Sequence, residues 1–268
     1  MNMITTKSLR ELKNRNEKIT VLTAYDASFT KHLEQAGVEV ILVGDSLGMV
    51  MQGHDSTIPV SVDDMVYHTS MVSRAREHAL LIADLPYHSY LNKDDALKNA
   101  RRLIDDGNAD MVKFEGGGEF VAIADHLIKN DIPVCGHLGL LPQSVIELGG
   151  YKVQGREQIV ADKIVEDAQA LKNVGVEIIV LECIPQQLSK RISEEVDVIT
   201  IGIGAGMDCS GQVLVLYDLL GITPGKRPKF SKDFLAELDG NKSIQNAIEA
   251  YVKAVKNLEF PAEEHCFN

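Results

Sequence analysis

The sequence predicts a single closed (β/α)8 barrel. Three observations predict it. Eight short runs rich in Val, Ile and Leu, most of them almost continuously apolar, recur along the chain. Strands buried on both faces, as in a parallel sheet, read this way. The runs alternate with amphipathic segments bearing helix-end signals, and strands separated by helices argue for a parallel α/β architecture. The 268 residues also suit one such barrel, usually about 250 residues long.

The strand runs are 19–24, 38–43, 80–84, 110–115, 132–137, 177–182, 198–203 and 212–216. Between the first two, Gly37 sits where a helix would stop. Ser61 with Asp64 three residues on starts the next helix, and Asn92 with Asp95 starts another that Gly107 ends. Gly175 closes the helix before the sixth run, and Pro185 suits the first position of the helix after it. The tail from Ser231 to about Leu258 reads as further helix closing the barrel or packing on it. The runner-up architecture, an open doubly wound sheet, is weakened because no GxGxxG follows the first run. The chain 1–268 therefore reads as one barrel domain with a C-terminal helical extension, without linkers or short-period repeats.

Composition narrows the function classes. The formal net charge is −12 and no basic run occurs, which argues against nucleic acid as a partner. No apolar run approaches the roughly 20 residues of a membrane span, and Met1 to Arg15 lacks the apolar core of a secretory signal. Cys135, Cys183, Cys209 and Cys266 are widely spaced, form no CxxC pair and read as free thiols. A cytoplasmic location is expected.

Three connections, 44–60, 138–156 and 217–230, are too long for simple turns. Loops of that length in a compact domain are usually functional or disordered. All three follow strands, so in a barrel they crowd the C-terminal rim, where active sites sit.

The residues that end the apolar runs carry the chemistry. The second run gives way to Asp45 and Ser46, and the third ends at Asp84. The fourth carries Lys113 and Glu115, two apart and so on one side, leaving Val112 and Phe114 for the surrounding helices. The fifth ends at His137 and the sixth at Glu182. Charged groups in a narrow barrel are costly unless paired or bound to metal. Asp45, Asp84 and Glu115 form an all-oxygen set that favours Mg2+ over zinc. Lys113 can neutralise a substrate carboxylate. Glu182, on a different strand, is free to act as general base, with a proton affinity raised by a partly dry pocket.

Each residue also has a purely structural reading. Lys113 and Glu115 suit a structural ion pair, Asp84 a turn before Leu85-Pro86, His137 a hydrogen-bonded core position, and Asp45 a loop cap. The segment Gly202-Ile203-Gly204-Ala205-Gly206 invites a phosphate-loop reading beside that of a tight turn after a strand. His54, His68, His78 and His126 form no metal-ligand spacing.

At these residues the sequence resembles the ketopantoate hydroxymethyltransferase family. The segments that carry the resemblance are TAYD from Thr23, VGDSLGMVMQGHDSTIPV from Val43, ADLP from Ala83, VKFEGG from Val112 and PVCGHLGLLPQSV from Pro133. GGYKVQGR from Gly149, LECIP from Leu181, IGIGAG from Ile201, PKF from Pro228 and EEH from Glu263 continue it, in order over nearly the whole chain. Departures are the triple glycine Gly116–Gly118 and Cys266 where serine is common; neither falls on a carried-over position. The resemblance implies the (β/α)8 fold and transfer of a hydroxymethyl group from 5,10-methylenetetrahydrofolate to 3-methyl-2-oxobutanoate, giving 2-dehydropantoate on the way to pantothenate. It implies Mg2+ held by Asp45 and Asp84 with Glu115 in or near its sphere, and the 2-oxo acid against Ser46, Asp84 and Lys113. Glu182 matches the proton acceptor and His137 a pocket histidine. A homodecamer of two stacked pentamers is implied as well.

Three other readings compete. One is an enolate enzyme of the phosphoenolpyruvate mutase and isocitrate lyase type, which would need a nucleophile or phosphate handling, such as a cysteine motif on a mobile loop; none is seen. Another is a barrel that has lost activity, although the base and ligand positions are all present. The third is a metal-dependent aldolase using free aldehydes.

Overall fold

The computed structural model describes residues 3–147 and 149–268. Eight parallel strands close into a barrel in sequence order: β1 (Ile19–Thr23), β2 (Val40–Val43), β3 (Leu80–Asp84), β4 (Met111–Glu115), β5 (Val134–Gly139), β6 (Ile178–Glu182), β7 (Ile199–Ile203) and β8 (Gly211–Leu214). β8 pairs back onto β1, with Val21 opposite Val213, so no strand edge is left open. The helices are α1 (Thr6–Asn14), α2 (Ala27–Ala36), α3 (Leu47–Val50), α4 (Val62–Ala75), α5 (Lys93–Arg101), α6 (Val121–Lys129), α7 (Gln158–Asn173), α8 (Gln186–Glu195), α9 (Leu216–Leu219) and α10 (Ile244–Lys256).

The alternation of side chains along each strand divides the apolar residues into two cores. Val21, Val40, Leu42, Ile82, Met111, Val180, Ile201 and Val213 fill the barrel. Leu22, Ile41, Leu81, Val112, Phe114, Ile179 and Leu181 pack outward against the helices. Burial of a residue such as Phe114 contributes on the order of 1.5–3 kcal/mol. Because both faces are covered, the strands lack the polar alternation of a half-exposed sheet.

Several local expectations hold. Ser61 and Asp64 form a reciprocal capping box on α4, Asn92 caps α5, and Gly37 ends α2 in the left-handed region. Pro185 stands one residue earlier than expected, as the N-cap of α8.

Three features depart from the sequence reading. The N-terminal segment forms α1, started by reciprocal Thr5 and Ser8 hydrogen bonds, and Leu9 plugs the N-terminal end of the barrel. No helix lies between β7 and β8 among the described residues; 204–210 returns directly and is anchored by Lys18, whose ammonium donates to the Met207 and Cys209 carbonyls at 2.7 and 2.5 Å. The stretch 231–243 is not helical. Asp233 accepts from the Ala236 amide (2.8 Å) in a side-chain-closed turn, and only α10 continues as helix, capped by Ser243. α10 covers the β8–β1 seam, its Tyr251 hydroxyl lying 3.0 and 2.7 Å from the Val21 and Gln212 carbonyls. No helix among the described residues is long and apolar enough to cross a membrane.

Candidate active site

Each strand from β2 to β6 delivers polar groups to one mouth. Asp45 and Ser46 follow β2, Asp84 ends β3, Lys113 and Glu115 point inward from β4, His137 lies on β5, and Glu182 ends β6. All seven line one cavity of about 890 Å3. Below Lys113 the barrel closes to a void of about 10 Å3 walled by residues such as Val21, Ile82 and Val180. The charged groups therefore mark the floor of the cavity, and the apolar core begins directly beneath them.

Strand register makes these residues neighbours. Asp84 stands opposite Lys113, Glu115 opposite His137, and Gly139 opposite Glu182. Lys113 Nζ lies 2.9 Å from Asp84 Oδ1, an ion pair outside hydrogen-bond alignment, and both side chains are nearly fully buried. Asp84, not Glu115, is thus the partner of Lys113, which corrects the structural reading of Lys113 and Glu115 as an ion pair. Lys113 Nζ also lies 3.4 Å from His137 Nδ1. An ammonium only donates, so Nδ1 accepts and the ring proton sits on Nε2. His137 Nε2 is 3.2 Å from Glu182 Oε2 without lining up for a hydrogen bond.

The electrostatics follow from burial. Burial pushes the His137 imidazole well below its ordinary range, and Lys113 pushes it further, so the ring is neutral. Burial works against the Lys113 charge, but Asp84, Glu115 and Asp45 outweigh it and hold the ammonium above the usual lysine range. Burial, reinforced by Asp84, raises Asp45 to about 7, and burial with Asp45 raises Glu115 well above the carboxylate range. Glu182 is raised to about 7 by burial, opposed only by Lys113.

The backbone around Glu182 is tightly determined. Gly139 sits at φ +98°, and a Cβ there would collide with the Glu182 carbonyl, which accepts from the Leu140 amide at 2.8 Å. Cys183 adopts φ +46°, a conformation non-glycine residues usually avoid, held by hydrogen bonds to Ile203 and Gln154. β5 and β6 therefore fix the direction of the Glu182 side chain between them.

Sequence reasoning missed several residues that line the cavity or hold its lining from behind. Gln143, in a short 3-10 turn (Pro142–Ser144), donates from Nε2 to Asp45 Oδ2 (2.8 Å) and the Leu85 carbonyl (3.0 Å), while its backbone N–H donates to Glu115 Oε2 (2.9 Å). A neutral glutamine carries no charge signal, and only the three-dimensional fold brings it to the carboxylates. Tyr25 meets Ser46 Oγ at 2.9 Å. The rim includes Met49, Tyr151, Lys226, Arg227, Phe230 and Phe267, drawn from the three long loops and the C-terminal tail. Gly202 and Ile203 end β7 and 204–206 bends away from it: Ala205 is buried, its carbonyl accepts from Ser189, and among the described residues no helix N-terminus follows to bind phosphate.

Asp45, Asp84 and Glu115 are the side chains that could hold a divalent ion. Their donors are all carboxylate oxygens, suited to a hard cation. Asp84 Oδ1 is buried and satisfied by no aligned hydrogen bond among the described residues, its neighbour being the Lys113 ammonium at 2.9 Å, so positive charge is what this oxygen faces. Among the described residues no three His, Cys, Asp or Glu side chains are already gathered into a metal cage. Lys113, Gln143 and the Asp45 amide instead take up carboxylate oxygens.

Comparison with known proteins gives a consistent result. The family described as ketopantoate hydroxymethyltransferase matches residues 3–263. A protein of Hahella chejuensis named 3-methyl-2-oxobutanoate hydroxymethyltransferase 2 is 54% identical over 265 residues, covering 99% of each chain. A protein of Nitrosococcus oceani named 3-methyl-2-oxobutanoate hydroxymethyltransferase is 53% identical, covering 98% of this chain and 99% of its own. Among solved structures, phosphonopyruvate hydrolase in complex with oxalate and Mg++ superposes with a TM-score of 0.60 at 14% identity, covering 96% of this chain and 97% of its own. That last likeness concerns the fold alone.

Proposed function

The chain belongs to the ketopantoate hydroxymethyltransferase family, and from that premise we propose that its barrel mouth transfers a hydroxymethyl group from 5,10-methylenetetrahydrofolate to 3-methyl-2-oxobutanoate, with Mg2+ as cofactor. The single observation that carries this reading is Glu182: a carboxylate with proton affinity near neutrality, opening on the same cavity as Lys113 and three further carboxylates. A base able to work near neutral pH beside a fixed cation is what removal of a weakly acidic proton next to a ketone requires.

In this reading Asp45, Asp84 and Glu115 hold the ion, and bound there Mg2+ supplies Lewis acidity toward the oxygens of the 2-oxo acid. The Mg++ named for the phosphonopyruvate hydrolase complex supports this through the shared fold only. Lys113 offsets the negative charge of the acid, and Ser46, positioned by Tyr25, lies within the same wall. Glu182 takes the proton from C3, leaving the enolate. Neutral His137 stands between Lys113 and Glu182, separating the cation from the base without adding charge. The enolate carbon then bonds to the methylene carbon of the folate-derived iminium. The carbon–nitrogen bond to folate breaks; water supplies the hydroxyl and one N–H proton, the proton that Glu182 took from C3 goes to the second folate nitrogen, and tetrahydrofolate leaves. Holding both partners replaces a rare encounter with an oriented one. The test is product formation by metal-stripped protein given both substrates, before and after Mg2+. The proposal predicts 2-dehydropantoate only with the ion and only with the folate; turnover on free formaldehyde alone would replace the folate reaction with an ordinary aldolase.

The loops 44–60 and 138–156 are assigned the exclusion of water and the seating of folate. Tyr151 and Met49, in contact across the rim, are both exposed apolar surface available to a flat ring. Lys226 and Arg227 provide cations where an acidic tail would leave the cavity. Exchanging both for Ala should raise KM for the folate about tenfold, a loss of about 1.4 kcal/mol, and leave kcat within about twofold. Steady-state kinetics with the oxo acid saturating checks this; an unchanged KM would move the folate tail elsewhere. A decamer working in the cytoplasm belongs to the same proposal, and sedimentation at a mass far from ten subunits would remove it.

A further inference from the structure

One oxygen of each of Asp45, Asp84 and Glu115 is tied down by a protein N–H. Asp84 Oδ2 accepts from the Asp45 amide at 3.1 Å. Asp45 Oδ2 accepts from Gln143 Nε2, and Glu115 Oε2 from the Gln143 backbone amide. Two of the three tethers thus come from one residue. Gln143 is 4% exposed and its remaining amide atoms are committed too, Nε2 also to the Leu85 carbonyl and Oε1 to the Tyr90 hydroxyl at 2.6 Å. Tyr90 OH in turn stands 3.3 Å from the Glu115 amide. Asp45 Oδ1 and Glu115 Oε1 take no hydrogen bond from a protein N–H or O–H among the described residues, and Asp84 Oδ1 faces the Lys113 ammonium at 2.9 Å. Gln143 belongs to the long loop after β5 and not to the barrel itself.

We infer that Gln143 is a positioning residue: it turns Asp45 and Glu115 so that one oxygen of each faces the divalent ion, and it couples ion binding to ordering of the loop segment 140–147. The inference rests on the reading of Asp45, Asp84 and Glu115 as ion ligands. Groups that orient metal ligands through their second oxygen are worth about 10–100-fold in affinity when removed. A carboxylate with both oxygens free to rotate has to lose that freedom on binding the ion, whereas here the tether has already fixed it. The coupling is reciprocal: an ion that fixes the carboxylates also fixes the acceptors that hold the loop.

The test is calorimetric titration of metal-stripped protein with Mg2+ alone, comparing the wild-type chain, Gln143→Leu and Tyr90→Phe, together with amide hydrogen exchange of residues 140–147 with and without the ion. Gln143→Leu should weaken Mg2+ about 10–100-fold. Tyr90→Phe, which keeps the ring and removes only the hydroxyl that holds Gln143 Oε1, should weaken it severalfold. Mg2+ should slow exchange in 140–147 for the wild-type chain and not for Gln143→Leu. A merely structural role predicts a lower melting temperature with unchanged Mg2+ affinity in both variants, and that result would overturn the inference while leaving the ligand reading intact. A wild-type chain that binds no Mg2+ would remove the ligand reading itself, and the inference with it.

Discussion

Glu182→Gln should lower the rate of proton removal from 3-methyl-2-oxobutanoate by about a thousandfold, in the range ordinarily lost with a general base, and at the same time make the metal-free protein more stable above pH 7. The second effect follows from burial. Folding raises the Glu182 pKa from 4.5 to about 7, so the folded state prefers the protonated carboxyl. The stability associated with that preference is fully present below about 4.5 and is lost as pH rises through about 7. At pH 8 the buried charge costs on the order of 3 kcal/mol, each tenfold change in proton affinity being worth about 1.36 kcal/mol. Glutamine mimics the neutral carboxyl at every pH and carries no such cost. The variant should therefore match the wild-type chain below pH 5 and exceed it at pH 8 in denaturant titrations with EDTA present. Equal stability at pH 8 would mean that Glu182 is better solvated than its surroundings indicate.

Lys113→Met should act in the opposite direction. Lys113 is a buried cation among Asp45, Asp84, Glu115 and Glu182, and its Asp84 partner is as buried as it is. Removing one member of a buried pair leaves an uncompensated charge, a loss of about 3–5 kcal/mol. The metal-free variant should show that loss at pH 8 and recover more stability on adding Mg2+ than the wild-type chain does, since the ion supplies the missing positive charge. Its KM for the oxo acid should rise because the substrate carboxylate loses its counter-ion. A loss below about 1 kcal/mol would show that the Lys113–Asp84 pair contributes far less than its burial indicates.

The strands were legible because burial on both faces leaves an uninterrupted apolar run, and the polar cluster at the mouth because the second to sixth runs break into charged or ionisable residues where the barrel ends. The two-residue spacing of Lys113 and Glu115 placed both inside, and the structure has them there with Val112 and Phe114 outside. Features set by distant contacts were not legible. Leu9 plugs the barrel because strands far along the chain leave a hole for it. The direct return from β7 to β8 depends on Lys18, remote in sequence. The apolar residues of 231–243 resemble a helix, but the Asp233 side chain closes a turn there. Gln143 and the Phe267 edge of the cavity belong to segments whose placement no local periodicity encodes.

The measurement that tests the central claim most directly is exchange of the C3 proton of 3-methyl-2-oxobutanoate in D2O, followed by proton NMR without any folate. The account predicts exchange that requires both Mg2+ and Glu182, with a rate that rises with pH as a carboxylate of pKa near 7 ionises. Exchange undiminished in Glu182→Gln, or equally fast after the ion is stripped away, would contradict it.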